Sequence, residues 1–219
     1  MKIVLAVLGV IVVIAVVVIM AAVGSYNNLV GLKQAVDASW ANVENVYQRR
    51  ADLVPNLVKT VEGAANFEKS TLIAVTEARQ QVTKLQVNPG AAPTDPATLQ
   101  KFQQMQDQLS SSLSRLLVVV EKYPELKANA NFLDLQAQLE GTENRISVER
   151  RKFNETVQGY NTKIQSVPAV FFAAALGFTP RPYFAAKAGA DAAPEVNFNF
   201  SNGAAPSASP LASPVPSTP

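Results

Sequence analysis

Leu29-Val30-Gly31-Leu32-Lys33-Gln34-Ala35-Val36-Asp37-Ala38-Ser39-Trp40-Ala41-Asn42-Val43-Glu44-Asn45-Val46-Tyr47 carries a clear helical signature. Its large apolar residues Leu29, Leu32, Val36, Trp40, Val43 and Tyr47 recur at steps of three and four, which places them on one face of an α-helix. No proline or glycine follows Leu32 before Pro55. Pro55 lacks a backbone donor, so a kink or a helix restart is expected near Asp52, a residue suited to an N-cap.

Upstream, Ile3–Val23 is uncharged, and only Gly9 interrupts its apolar residues. A helix of this length spans about 30 Å, the thickness of a bilayer's hydrocarbon core. A cleaved signal peptide has a shorter apolar core, so an uncleaved anchor is expected, although Ala22-Val23-Gly24 offers a small-residue cleavage site. No cysteine is present to carry a lipid. Lys2 precedes the segment and the first cation after it is Lys33, which favours a cytoplasmic N-terminus and an exported domain.

Downstream the helical period continues. Val54, Val58, Val61, Ala65, Glu68, Leu72, Val75, Arg79 and Val82 alternate by four and three, with Gly63 as a bend. Three prolines and a glycine break the chain between Val87 and Pro96. A third helix is expected over 97–123, through Leu99, Phe102, Met105, Leu109, Leu113, Leu116, Val120 and Tyr123, ended by Pro124. A fourth is expected over 131–165, through Phe132, Leu135, Leu139, Thr142, Ile146, Glu149, Phe153, Val157, Tyr160 and Ile164. The expected fold is all-α: an N-terminal transmembrane helix (1–24), then an elongated antiparallel bundle of long helices (25–185). Residues 186–219 read as an extended tail. The last 17 residues hold five Pro, four Ala, four Ser and no charge, a composition that cannot bury a core. The one strand-like stretch is Glu195–Phe200, where Val196, Phe198 and Phe200 alternate with Asn.

Composition narrows the chemistry. Nineteen Lys and Arg against 17 Asp and Glu leave a net charge of +2, too small for a broad phosphate-binding face, so no nucleic-acid partner is expected. With no His and no Cys, imidazole and thiolate chemistry, disulfides and the usual transition-metal sites are excluded. No catalytic residue, cofactor site or metal site is expected.

The order of motifs resembles the LemA family over residues 1 to about 184. The resemblance is carried by Tyr26-Asn27-Asn28-Leu29-Val30, Trp40, Arg49-Arg50-Ala51-Asp52-Leu53-Val54-Pro55-Asn56-Leu57-Val58 and Glu68 with Ala78-Arg79. It continues through Glu121-Lys122-Tyr123-Pro124-Glu125-Leu126-Lys127-Ala128, Glu143, Ile146, Arg150, Phe153-Asn154, Tyr160-Asn161, Pro168 and Gly177-Phe178. Phe153 departs from the Tyr that the family usually shows there. The resemblance implies a bacterial single-pass inner-membrane protein with a four-helix bundle. Its family is encoded beside envelope proteins, including a TPM-domain protein and a membrane metalloprotease, and one relative takes part in magnetosome membrane formation.

Several residues stand out as structural or interaction candidates. Arg49-Arg50 followed by Asp52 reads as a lipid-headgroup clamp, or the two arginines pair with carboxylates on a neighbouring helix, Glu143, Glu149 and Glu121 being candidates. An unbroken helix puts Arg49 about 39 Å beyond the hydrocarbon edge, several screening lengths away, which favours the helix partners. Glu68 and Arg79 put charge on an apolar stripe, where pairing sets register. A catalytic or metal-binding Glu68 is disfavoured because bundle diiron sites need Glu-x-x-His. Asn154 and Asn161 lie seven residues apart on one helix face and are expected to hydrogen-bond to the start of the first helix. Phe171, Phe172 and Phe178 either insert at the membrane interface or cap the bundle or bury against another subunit, and the scarcity of Lys and Arg around them favours the bundle or subunit contact. Glu195–Phe200 either adds to a partner's sheet or lies on its own bundle. Second apolar rows such as Ala35, Ser39 and Val46 favour a homo-oligomer. The function read from these features is a non-enzymatic membrane scaffold. The alternative is an adaptor for an envelope partner, a membrane protease or TPM-domain protein.

Overall fold

A computed structural model describes residues 2–63, 67–84 and 90–185. Residues 186–219, with the expected tail and the strand-like stretch at 195–200, lie outside the described residues. Residues 2–184 contain α1 (Lys2–Glu62), α2 (Lys69–Lys84), α3 (Pro96–Val120), the short α4 (Pro124–Lys127), α5 (Ala130–Gln165) and a 3-10 turn, Ala169–Phe171. No strand occurs among the described residues.

α1 carries 61 residues in one unbroken helix, about 90 Å at 1.5 Å per residue. Residues 2–21 are exposed throughout, and the stretch is long and apolar enough to cross a membrane. From Ser25 onward the same helix becomes the seam of a bundle, burying Leu29, Val36, Trp40, Val43, Tyr47, Val54, Leu57 and Val61. Pro55 lies inside α1, so the helix does not restart there. Its missing N–H frees the carbonyl of Ala51, four residues earlier, and Arg79 Nε donates to that oxygen at 2.8 Å.

α1 and α5 pack closely, as do α2 and α3. The pairs Trp40–Phe153, rings 5.6 Å apart, and Arg50–Glu143, at 2.9 Å, fix the antiparallel register of α1 and α5. α1 stops at Glu62 with a turn at Gly63, so the stripe expected to continue through residue 68 is interrupted. Asp95 caps α3 by accepting from the amides of Ala97 and Thr98, and Pro96 fills its first position. α3 ends at Val120, and Pro124 starts α4 rather than closing α3. Asn129 caps α5 through the amides of Asn131 and Phe132.

The buried apolar residues form two clusters. One, on the side toward Val23, gathers Leu29, Val36, Trp40, Val43, Tyr47, Leu99, Phe102, Ile146, Phe153, Val157, Tyr160 and Phe184. The other gathers Leu53, Val54, Leu57, Val61, Leu72, Val75, Leu109, Leu113, Leu116, Phe132, Leu135 and Leu139.

Candidate functional site

The boundary between the two clusters falls at one level on three helices. On α1 it lies between Tyr47 and Leu53, on α3 between Phe102 and Leu109, and on α5 between Leu139 and Ile146. Polar side chains fill that level. Arg50, 2% exposed, donates from Nη1 to Glu143 Oε2 at 2.9 Å and to the Ser110 hydroxyl. Its Nη2 donates to the Gln106 carbonyl oxygen at 3.1 Å and side-chain Oε1 at 2.6 Å. The guanidinium also sits 5.1 Å from the centroid of the Tyr47 ring. Thr142 is buried beside Glu143 and returns its hydroxyl to the carbonyl of Gln138.

A buried guanidinium is tolerable only when its donors meet acceptors. Here four oxygens from two other helices take them, and only Nε lacks a partner. The carboxylate end is less enclosed, with the Glu143 side chain 44% exposed. A one-turn slip of α1 against α3 or α5 would bury this charge against Leu or Phe, so the layer sets register. Burial pushes the Tyr47 phenol above its ordinary pKa, and the nearby charges of Arg150 and Arg50 pull it back.

A second polar set lies nearer Val23, where residues 179–184 run extended along α5. Asn161 Nδ2 donates to the Arg181 carbonyl at 2.9 Å, and its Oδ1 accepts from the Arg181 amide at 2.8 Å. Asn154 repeats the arrangement on Phe184, at 3.1 and 2.9 Å. The two spacings match: seven residues of helix rise about 10.5 Å, and three residues of extended chain cover about 10 Å. Phe184 then seats its ring against Trp40, stacked at 5.9 Å, and Phe153, edge-on at 5.4 Å, with the Arg150 guanidinium 4.7 Å from its centroid. Arg181 reaches back to the Ala92 carbonyl at 2.6 Å, and Asp37 accepts from the Ala92 amide at 3.0 Å. Burial raises the Tyr160 pKa, opposed by the adjacent Arg181 charge.

The structure separates the singled-out residues. Arg50 and Glu143 meet, whereas Arg49 is exposed and Asp52, also exposed, accepts from Gln48. Glu121 pairs with Lys127, and Glu149 with Lys152 at 2.8 Å. Glu68 is not in a seam: it is exposed just before α2, where it accepts from the Ser70 hydroxyl. Arg79 pairs with a backbone carbonyl instead of a carboxylate. Asn154 and Asn161 hold the extended segment, not the start of α1. Gln106, Ser110, Asp37, Arg181 and Phe184 were not anticipated. Strict four-three alternation from Leu99 through Leu109 passes through buried Gln106 in place of half-buried Met105, so that residue had a readable signal.

Fold and site together define an all-helical bundle protein whose first helix carries a membrane-length apolar extension and whose core is divided by an arginine layer. The chain belongs to the LemA family, whose pattern matches residues 39–198. It is 26% identical over 184 residues to the magnetosome protein MamQ of Magnetospirillum gryphiswaldense, covering 76% of this chain and 66% of that one. It is 25% identical over 142 residues to the protein LemA of Metamycoplasma hominis, covering 65% and 60%. The chain thus spans less than two thirds of the length of each of these relatives, 66% of the first and 60% of the second.

Proposed function

We propose that this protein is a non-enzymatic scaffold of the bacterial inner membrane: α1 anchors it in the bilayer, and the bundle self-associates or organises envelope components. In this reading residues 1–24 are the anchor, 25–185 the bundle and 186–219 a tail, with the bundle on the non-cytoplasmic side as the Lys2 position favours. The observation that carries it is the continuity of α1. One helix holds an exposed apolar stretch and the buried seam of the bundle, so the bundle cannot swivel freely on its anchor. The arginine layer and the relatives named as magnetosome proteins support a structural role in a membrane system.

Of the second apolar rows expected on α1, Ala35 is exposed, whereas Ser39 bonds to the Val36 carbonyl and Val46 packs against the core. Ala35 is therefore the position at which to test contact between copies. The chain has no native cysteine, so Ala35→Cys in the full chain reports alone. Oxidative crosslinking in native membranes is expected to give dimers; monomer at every expression level contradicts self-association. The family match continues past Phe184 to residue 198, which favours a second reading as an adaptor working through Val196 and Phe198. Co-purification of an envelope protease or TPM-domain protein that is lost on deleting 195–219 selects that reading.

A further inference from the structure

We propose that the turn after α5, residues 167–178, enters the membrane interface and forms a second lipid contact beside α1. The proposal rests on α1 being a bilayer anchor.

Position comes first. Extending the register set by Arg50–Glu143 and Trp40–Phe153 places Gln165, the end of α5, opposite Asn28. The turn that follows is pinned there by an edge-on contact of Phe178 with Tyr26, rings 5.6 Å apart. Tyr26 lies three residues beyond Val23, a rise of about 4.5 Å. Each polar layer of a bilayer is about 5–8 Å deep, so a turn at the level of Tyr26 sits within it whenever Val23 marks the hydrocarbon edge.

The side chains of the turn suit that layer. Ala169, Ala173 and Phe178 face inward and are buried, and Phe172 is half-buried against the core. Val167 (73% exposed), Val170, Phe171 (80%) and Leu176 face out, and Tyr26 adds a half-exposed ring beside them. No charged residue occurs from Ile164 to Pro180, while Lys163 precedes the run. With no charge to desolvate in the turn, the outward Val167, Val170, Phe171 and Leu176 can bury apolar area in the interface beside Tyr26, a residue type enriched at that depth. Lipid is favoured over a second copy as the occupant because the patch is continuous with α1, whose residues 2–21 are themselves wholly uncovered.

The test uses the full chain with one cysteine introduced at a time: Val12→Cys in the apolar stretch, Phe171→Cys and Leu176→Cys in the turn, and Leu133→Cys at the far end of α5. Each is labelled with an environment-sensitive fluorophore and reconstituted into phosphatidylethanolamine–phosphatidylglycerol vesicles with or without lipids spin-labelled high on the acyl chain. Emission from the Phe171 and Leu176 positions is expected to fall about twofold with the quencher lipid, as for a side chain lying at the headgroup–acyl boundary, while Leu133 is unchanged. Quenching at Val12 with none at Phe171 or Leu176 overturns the second contact and leaves the anchor standing. Blue-shifted but unquenched emission in the turn also overturns it, since protein then covers the patch. No quenching at Val12 overturns the anchor itself.

Discussion

The compartment nearer Val23 is built from rings, with Trp40, Phe102, Phe153 and Phe184 meeting edge-on or stacked at 5.1–5.9 Å. The far compartment is built from aliphatic side chains, chiefly Leu53, Leu57, Leu109, Leu113, Leu116, Leu135 and Leu139. Rings meet at preferred angles and so fix orientation, whereas Leu and Val seams can slip and still bury their area. The ring compartment has a further tie in the segment held by Asn154 and Asn161. The aliphatic one gains its specificity at its boundary, from Arg50 and from the Arg79 contact to Ala51.

Arg50→Ala should have the largest effect, because it removes the tie shared by both compartments and leaves buried Gln106 unpaired. A loss of about 3 kcal/mol is expected from breaking a buried pair, read as a fall in thermal midpoint by circular dichroism. Glu143→Gln should cost less, since that side chain is half in water and a neutral acceptor remains. If Arg50→Ala leaves the midpoint unchanged, the layer does not join the two halves.

Asn161→Leu acts on the ring compartment alone. It orphans the buried amide and carbonyl of Arg181, at an expected cost of about 2 kcal/mol. Hydrogen exchange should accelerate at the Arg181 and Phe184 amides while the amides of Leu113 and Leu135 keep their protection. Asn154→Leu should do the same, more weakly, because that position is only half-buried.

Arg79→Ala acts on the aliphatic side and should cost about 1–2 kcal/mol by orphaning the Ala51 carbonyl. Its cost should largely vanish in a Pro55→Ala background, where the helix supplies its own donor. Equal costs in the two backgrounds would show that Arg79 does not compensate Pro55.

The smallest effect is expected at Asp95→Ala. The Thr98 hydroxyl first, then the Ala97 and Thr98 amides, hold the Asp95 carboxyl below its ordinary pKa. The stabilisation is therefore full above that ordinary value and is lost as pH falls through the lowered one. Wild type and Asp95→Ala should differ slightly in midpoint at neutral pH and converge in strong acid.

How much of this was legible depends on which interactions leave a periodic trace. The seams of α1 and α5 were readable because apolar residues recur every three or four positions, and Glu149 alone broke the α5 list by staying half-exposed. The restart expected at Pro55 does not occur, because Arg79, 24 residues further on, takes the freed Ala51 carbonyl, and nothing local in the sequence announces that donor. Glu68 was misread because the four-three pattern stays in phase across a helix end at Glu62. The grip of Asn154 and Asn161 on Phe184 and Arg181 joins side-chain amides to irregular backbone, a pairing with no period to detect.

On the proposed function, α1 is one rod running from the bilayer into the bundle core. Spin labels at Met20→Cys and Lys59→Cys, both exposed positions, test it in the full chain in bilayers by pulsed electron resonance. A straight helix separates these backbone positions by about 58 Å, and a single narrow distribution near that distance is the expected result. A broad distribution, or a markedly shorter distance, would mean that the helix hinges between anchor and bundle.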